Sequence, residues 1–311
     1  MIQVRNLSKN FGPKWAVNNI SLDVAKGEVL GFLGPNGAGK STTMRMITGF
    51  LPPASGEIRV GGHDMLAEPI AGKRLIGYLP EHAPAYTDMT VTGFLRFCAE
   101  MRGLGGDAKR RAVSRVIETC FLESVTHQSV ETLSKGYRHR LCFAQAILHD
   151  PEVLIMDEPT DGLDPNQKHE VRTIIREMGA RKAIIFSTHI LEEVEAVCSR
   201  AIIIDRGAIV ANGTPQELKA RGAGAGAVTV RFAAVPGGAV AALEQLDGVE
   251  KVSVIGKEPL AARVFPKAGK KDLGTAIFEL AAREQWKLAD LHAEEGRLDE
   301  VFRAITLPDT K

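Results

Sequence analysis

The chain reads as an α/β protein, a mostly parallel sheet covered by helices, followed by a small α+β appendage. Three observations predict this. A glycine-rich loop, Gly34-Pro35-Asn36-Gly37-Ala38-Gly39-Lys40-Ser41-Thr42, joins an apolar run to a helix-like one. Apolar runs at 153–156, 183–186 and 201–204 then recur with helical patterns between them. A Gly/Ala-rich stretch at 221–227 breaks the composition and sets the appendage apart.

Residues 1 to about 80 read as short strands with tight turns, interrupted by the glycine-rich loop. Glu28-Val29-Leu30-Gly31-Phe32-Leu33 is apolar enough for a buried strand, and Thr43-Met44-Arg45-Met46-Ile47-Thr48 has helical character. In that context the loop predicts a nucleoside triphosphate ligand, because glycines let successive N–H groups turn inward on phosphates at a helix N-terminus. Lys40 adds a full charge for the β- and γ-phosphates, and the Ser41 hydroxyl is placed to ligate Mg²⁺. Ile58-Arg59-Val60-Gly61-Gly62 and Leu75-Ile76-Gly77-Tyr78-Leu79 suggest further strands. From about 88 to 150 the pattern turns helical, with Phe94, Phe97 and Met101, then Val113, Val116 and Ile117, at helical spacing.

Val153-Leu154-Ile155-Met156-Asp157-Glu158 ends a buried strand in two carboxylates, delivered to the sheet edge where ligands sit. Asp157 is expected to hold Mg²⁺ through its water shell and Glu158 to polarise the attacking water. Residues 221–227 read as a flexible linker between a nucleotide-binding domain at 1–220 and an accessory domain at 228–311. In the latter, Val228-Thr229-Val230-Arg231-Phe232 alternates as a half-buried strand, and strands are also expected at 249–255, 260–265 and 286–291. Leu243 and Leu246, then Leu273, Ile277 and Leu280, mark two amphipathic helices, which together suggest a two-layer βαββαβ unit.

Lys+Arg 39 against Asp+Glu 38 leaves no basic excess to argue for nucleic acid. The four cysteines, Cys98, Cys120, Cys142 and Cys198, lie far apart and suit a reduced compartment better than a disulfide framework or a zinc site. No apolar run approaches the roughly 18–20 residues of a membrane helix, and the opening Met1-Ile2-Gln3-Val4-Arg5-Asn6 lacks signal-peptide character. The expectation is a soluble, cytoplasmic chain that reaches a membrane only through a partner.

Leu133-Ser134-Lys135-Gly136-Tyr137-Arg138-His139-Arg140 precedes a helix with Leu141, Ala144, Ile147 and Leu148 on one face. Ser134 can cap that helix, and Gly136 leaves its backbone open to an anion. Placed just upstream of the acidic strand, the segment resembles the L-S-G-G-Q signature of the ATP-binding cassette (ABC) ATPases. The resemblance covers residues 1 to about 220. It implies a P-loop α/β fold with a helical subdomain at about 88–150, and ATP with Mg²⁺ held between the phosphate loop of one subunit and the signature of another. Phe11, before Gly12, matches the aromatic that stacks on adenine. Asp161-Gly162-Leu163-Asp164 matches the D-loop that runs between the two sites, and Ser187-Thr188-His189 the switch histidine at the γ-phosphate.

Four positions depart from the family pattern, in three places. Glu81, in Tyr78-Leu79-Pro80-Glu81, stands where a loop glutamine is usual, and either ligates the metal or repels phosphate without it. Lys135 and Tyr137 replace the usual Gly and Gln of the signature, while His139 stands where a Gln often follows. These variants, with the C-terminal appendage, resemble ATPase subunits of exporters whose membrane permease is a separate chain. Glu81-His82-Ala83-Pro84-Ala85-Tyr86 and Leu148-His149-Asp150-Pro151-Glu152-Val153 resemble, within that branch, the gliding-motility-associated ATP-binding subunits. The implied partners are that permease and a second ATPase subunit. The main alternative is an ABC-type ATPase acting on ribosomes or nucleic acid, which a single cassette without heptads or basic excess disfavours. A P-loop GTPase or kinase, or a non-hydrolysing ATP-gated clamp, is disfavoured by the 133–140 segment and by Glu158 and His189.

Overall fold

The computed structural model describes residues 1–311 except 82–84, 223, 235, 258–259, 268–272, 295 and 307–311. His82-Ala83-Pro84 of the branch-specific string and Ala223 of the Gly/Ala stretch lie outside the described residues. Contacts divide the chain into two units, Met1–Pro215 and Gln216–Lys311.

In chain order the first unit holds β1 (Ile2–Phe11), β2 (Lys14–Val24), β3 (Val29–Leu33), α1 (Lys40–Ile47), β4 (Ser55–Val60), β5 (His63–Asp64), α2 (Pro69–Arg74) and β6 (Ile76–Leu79). There follow α3 (Val91–Met101), α4 (Gly106–Thr119), α5 (Lys135–Ile147), β7 (Val153–Asp157), α6 (Pro165–Gly179), β8 (Ala183–Thr188), α7 (Leu191–Val197), β9 (Arg200–Asp205) and β10 (Ala208–Gly213). The six-stranded sheet has the order β10-β9-β3-β8-β7-β6 and is parallel except for β10. Every residue of β3, β7 and β8 is buried, as expected of parallel strands covered on both faces.

A separate antiparallel sheet of order β2-β1-β4-β5 stands beside it. Its strands alternate buried and exposed residues because only one face meets the core. Leu7, Ile20, Ile58, Phe32, Met44 and Ile185 belong to the core shared by the two sheets. A second core joins Phe94, Leu95, Val116 and Phe143 of the helical segment to Met156 and Phe186. No helix among the described residues is long and apolar enough to cross a membrane.

After α8 (Pro215–Lys219) the second unit runs β11 (Val228–Phe232), α9 (Ala239–Glu244), β12 (Val249–Lys257), β13 (Leu260–Pro266), α10 (Leu273–Arg283), β14 (Leu288–Ala293) and α11 (Leu298–Thr306). Its antiparallel sheet has the order β12-β13-β11-β14, a βαββαβ layout with α11 added. Val230, Phe232, Val264, Ile277 and Leu280 form its core, and Phe232 meets Trp286 edge-on at 5.4 Å. Within the stretch at 221–227, expected to be a linker, some described residues make contacts inside this unit. Gly224 N–H donates to Glu300 Oε2 at 3.2 Å, Gly226 N–H to the Glu294 carbonyl, and Ala227 is buried. Small side chains let the backbone at these residues pack closely.

Candidate active site

Chain geometry at the end of β3 builds the first half of the site. Beyond Leu33 the loop closes with Ala38 N–H donating to the Pro35 carbonyl at 3.1 Å, and α1 begins at Lys40. Gly39 precedes it at φ 110°, ψ 2°, a conformation open only to glycine among common residues. The first-turn N–H groups of α1 are thereby directed into a cleft of about 270 Å³. Its walls are Ala16, Pro35, Asn36, Gly37, Gly39, Lys40, Ser41, Thr42, Glu81 and Glu158. Gly34 and Ala38 belong to the loop but lie off the wall. Lys40 is buried, its ammonium donating to the Gly34 carbonyl at 2.7 Å and the Pro35 carbonyl at 3.3 Å.

The second half comes from β7 and β8, which pair in parallel with Asp157 opposite Ser187. Asp157 is buried and accepts the Ser187 hydroxyl. Glu158 follows at φ +51°, a left-handed backbone that costs a glutamate about 1–3 kcal/mol and persists only where surrounding bonds impose it. Ser187 supplies those bonds, since the Glu158 N–H donates to its carbonyl at 3.2 Å and to its hydroxyl at 3.1 Å. The Glu158 carboxylate then sits with Oε2 3.0 Å from His189 Nδ1 and Oε1 3.8 Å from Lys40 Nζ. A carboxylate only accepts, so Nδ1 carries the hydrogen-bonding proton. Burial pushes the Glu158 carboxyl above the usual range, the His189 and Lys40 charges pull it back, and Asp157 adds a smaller upward push. Ser187 was not legible as a site residue: a serine closing an apolar strand has no signature of its own, and only strand pairing puts it under Asp157.

Ser41, Asp157 and Glu81, the residues read as metal ligands, present only oxygen donors, as a hard divalent cation requires. Among the described residues no three His, Cys, Asp or Glu side chains converge tightly enough to hold a metal by themselves. Such a set suits an ion that takes most of its ligands from phosphate and water.

Ser134, Gly136 and Asp164 form a distinct cluster, and none of them lines the cleft. Ser134 caps α5, its hydroxyl accepting the Tyr137 N–H at 3.3 Å. Asp164 caps α6 through a capping box with Gln167. Gly136 backs on the Gln167 side chain, where a Cβ would lie 2.7 Å from Oε1. Lys135 Nζ reaches Asp161 Oδ2 at 3.2 Å, and the Tyr137 and Ser124 hydroxyls are 3.2 Å apart. The two departures from the signature are thus engaged in contacts within the chain. Phe11 is 55% exposed at the β1–β2 turn, 5.7 Å from the Lys9 ammonium, and is not among the residues lining the cleft.

A family model described as "ABC transporter" matches residues 17–161. The linearmycin resistance ATP-binding protein LnrL of Bacillus subtilis is 34% identical over 309 residues, covering 98% of each chain. The Nod factor export ATP-binding protein I of Cupriavidus metallidurans is 32% identical over 318 residues, covering 98% of this chain and 97% of that one. A solved structure of an ATP binding subunit of an ABC transporter superposes with a TM-score of 0.66 at 30% identity, over 70% of this chain and 92% of its own.

Proposed function

The chain belongs to the ATP-binding proteins of ABC transporters, and on that premise we propose that two copies close head to tail around two Mg-ATP molecules to drive a separate permease. One observation carries the reading. The cleft is lined by Lys40 and Glu158, with His189 bonded to Glu158, whereas Ser134, Gly136 and Asp164 of the same chain do not line it. Each cleft is then completed by the cluster of the other copy. Phe11 stacks on the adenine, while Gly34 to Thr42 wrap the phosphates.

Lys40 exchanges its carbonyl partners for phosphate oxygens, and Glu158 accepts a proton from the attacking water while the His189 imidazole holds its carboxylate in place. Ser41 and, through water, Asp157 would hold a magnesium ion, with Glu81 beside it, and that ion would supply positive charge against the β- and γ-phosphates. Loss of the γ-phosphate removes the bridge and the copies part. Export is the direction favoured by the names of the relatives in linearmycin resistance and Nod factor export. The narrower gliding-motility assignment rests on the two short strings alone. Through its permease the protein works at the inner face of the cell membrane.

Glu158→Gln tests this. Turnover should fall by orders of magnitude, and size-exclusion chromatography with light scattering should find an ATP-dependent dimer. Near-normal turnover removes Glu158 as the base. A chain that stays monomeric in Mg-ATP with its permease supplied removes the closure mechanism.

A further inference from the structure

Helix α7 begins Leu191-Glu192-Glu193-Val194-Glu195, and its three acids have different surroundings. Glu192 and Glu195 are exposed, whereas Glu193 is only 1% exposed. A carboxylate in that position is costly unless its oxygens are satisfied. Glu193 Oε2 accepts the Thr188 hydroxyl at 2.8 Å, and Oε1 accepts the Thr160 hydroxyl. Arg172 of α6 lies 3.5 Å from Oε1 and supplies the countercharge.

Both threonines are buried, and their places in the chain matter. Thr188 ends β8 immediately before His189, and Thr160 follows Glu158 by two residues. The Thr188 hydroxyl also accepts the Ile190 N–H at 3.0 Å, so its proton is left to point at Glu193. One carboxylate therefore ties together the two segments that carry Glu158 and His189. Ser187 bonds the Glu158 backbone directly, and Glu193 binds the hydroxyl of Thr160 two residues further on.

We propose that Glu193 is a positioning residue for ATP hydrolysis, keeping Glu158 and His189 within hydrogen-bond reach of each other. This rests on the reading of Glu158 as the base. A carboxylate is required because both threonines donate. An amide at the same place offers one acceptor and leaves a buried hydroxyl proton without a partner. The Lys40 loop is untouched by this network, so the effect falls on turnover rather than on nucleotide capture.

The test uses the full chain in a steady-state Mg-ATP assay. Glu193→Gln should lower kcat roughly ten- to a hundredfold, the scale of a small misplacement of a reacting group, with KM within about twofold. In a Glu158→Gln background the same change should cost little more, because residues acting as a unit are not additive. Thr188→Val should match the Glu193→Gln loss, and Thr188→Ser, which restores the hydroxyl, should return kcat to within about twofold. The proposal is overturned by wild-type kcat in Glu193→Gln, by losses that multiply fully in the Glu158→Gln background, or by Thr188→Ser behaving like Thr188→Val. If Glu193→Gln does not fold, the Thr188 pair decides. Normal turnover in Glu158→Gln would sink the hydrolysis reading itself, a result separate from all of these.

Discussion

Gly37 and Gly39 lie two residues apart in the phosphate loop, both at positive φ, and replacing each by alanine separates local strain from tertiary overlap. At Gly37, φ 80°, a Cβ meets nothing within 4 Å. At Gly39, φ 110°, it lies 2.4 Å from the Ala16 carbonyl oxygen of β2, where close carbon–oxygen contacts run at about 3.3 Å. Backbone must therefore move by about 0.9 Å, as no flexible side chain is available to yield. The left-handed term costs either variant about 1–2 kcal/mol. Overlap adds about 1–3 kcal/mol at Gly39 alone. In a unit spanning Met1–Pro215, Gly37→Ala should lower Tm by a few degrees and Gly39→Ala by roughly 10 °C. Both residues line the cleft, so both variants should lose ATP affinity in isothermal titration calorimetry, and Gly39→Ala, which also displaces the start of α1, should lose more. Equal Tm values and equal ATP affinities for the two variants would refute the reasoning.

His139 and Phe11 offer two further checks. Burial drives the His139 imidazole down to about 4, against a smaller upward pull from Asp161, and its Nδ1 has no partner. The unfolded chain takes up this proton as pH falls through about 6.5 while the folded chain resists, so stability present above that value drains away towards pH 4. Between pH 7.5 and 5 this amounts to about 2 kcal/mol in urea unfolding, and His139→Gln should flatten the slope by that amount. An unchanged slope would show that His139 is not the source. Phe11→Ala should move Tm by less than about 2 °C, since the ring is largely exposed, yet raise KM for ATP severalfold. Unchanged KM would remove Phe11 from the adenine site.

Local pattern was sufficient wherever the chemistry is carried by neighbours in the chain. The phosphate loop, the acidic strand end, the order of the later motifs and the βαββαβ layout of the second unit were all legible, because each depends on strand or helix period and on a few fixed spacings. The expected sheet strands at 153–156, 183–186 and 201–204 extend to Val153–Asp157, Ala183–Thr188 and Arg200–Asp205. Helix α11, which the pattern reading omitted, buries only Leu298 and Val301 fully, too few for a clear period.

What the amino-acid order determined is the kind of reaction: glycines, a lysine and two carboxylates in this succession serve a triphosphate. What tertiary structure decided is how those groups are held. Ser187 became the support of Asp157 and Glu158 only through parallel pairing of β7 and β8. Lys135 found Asp161 across two helix starts, and Glu193, one acid among three on a short helix, was singled out only by burial. Sequence spacing encodes contacts along one element, whereas a carboxylate's worth depends on solvent exclusion and on partners from distant segments, which exist only once the chain has packed.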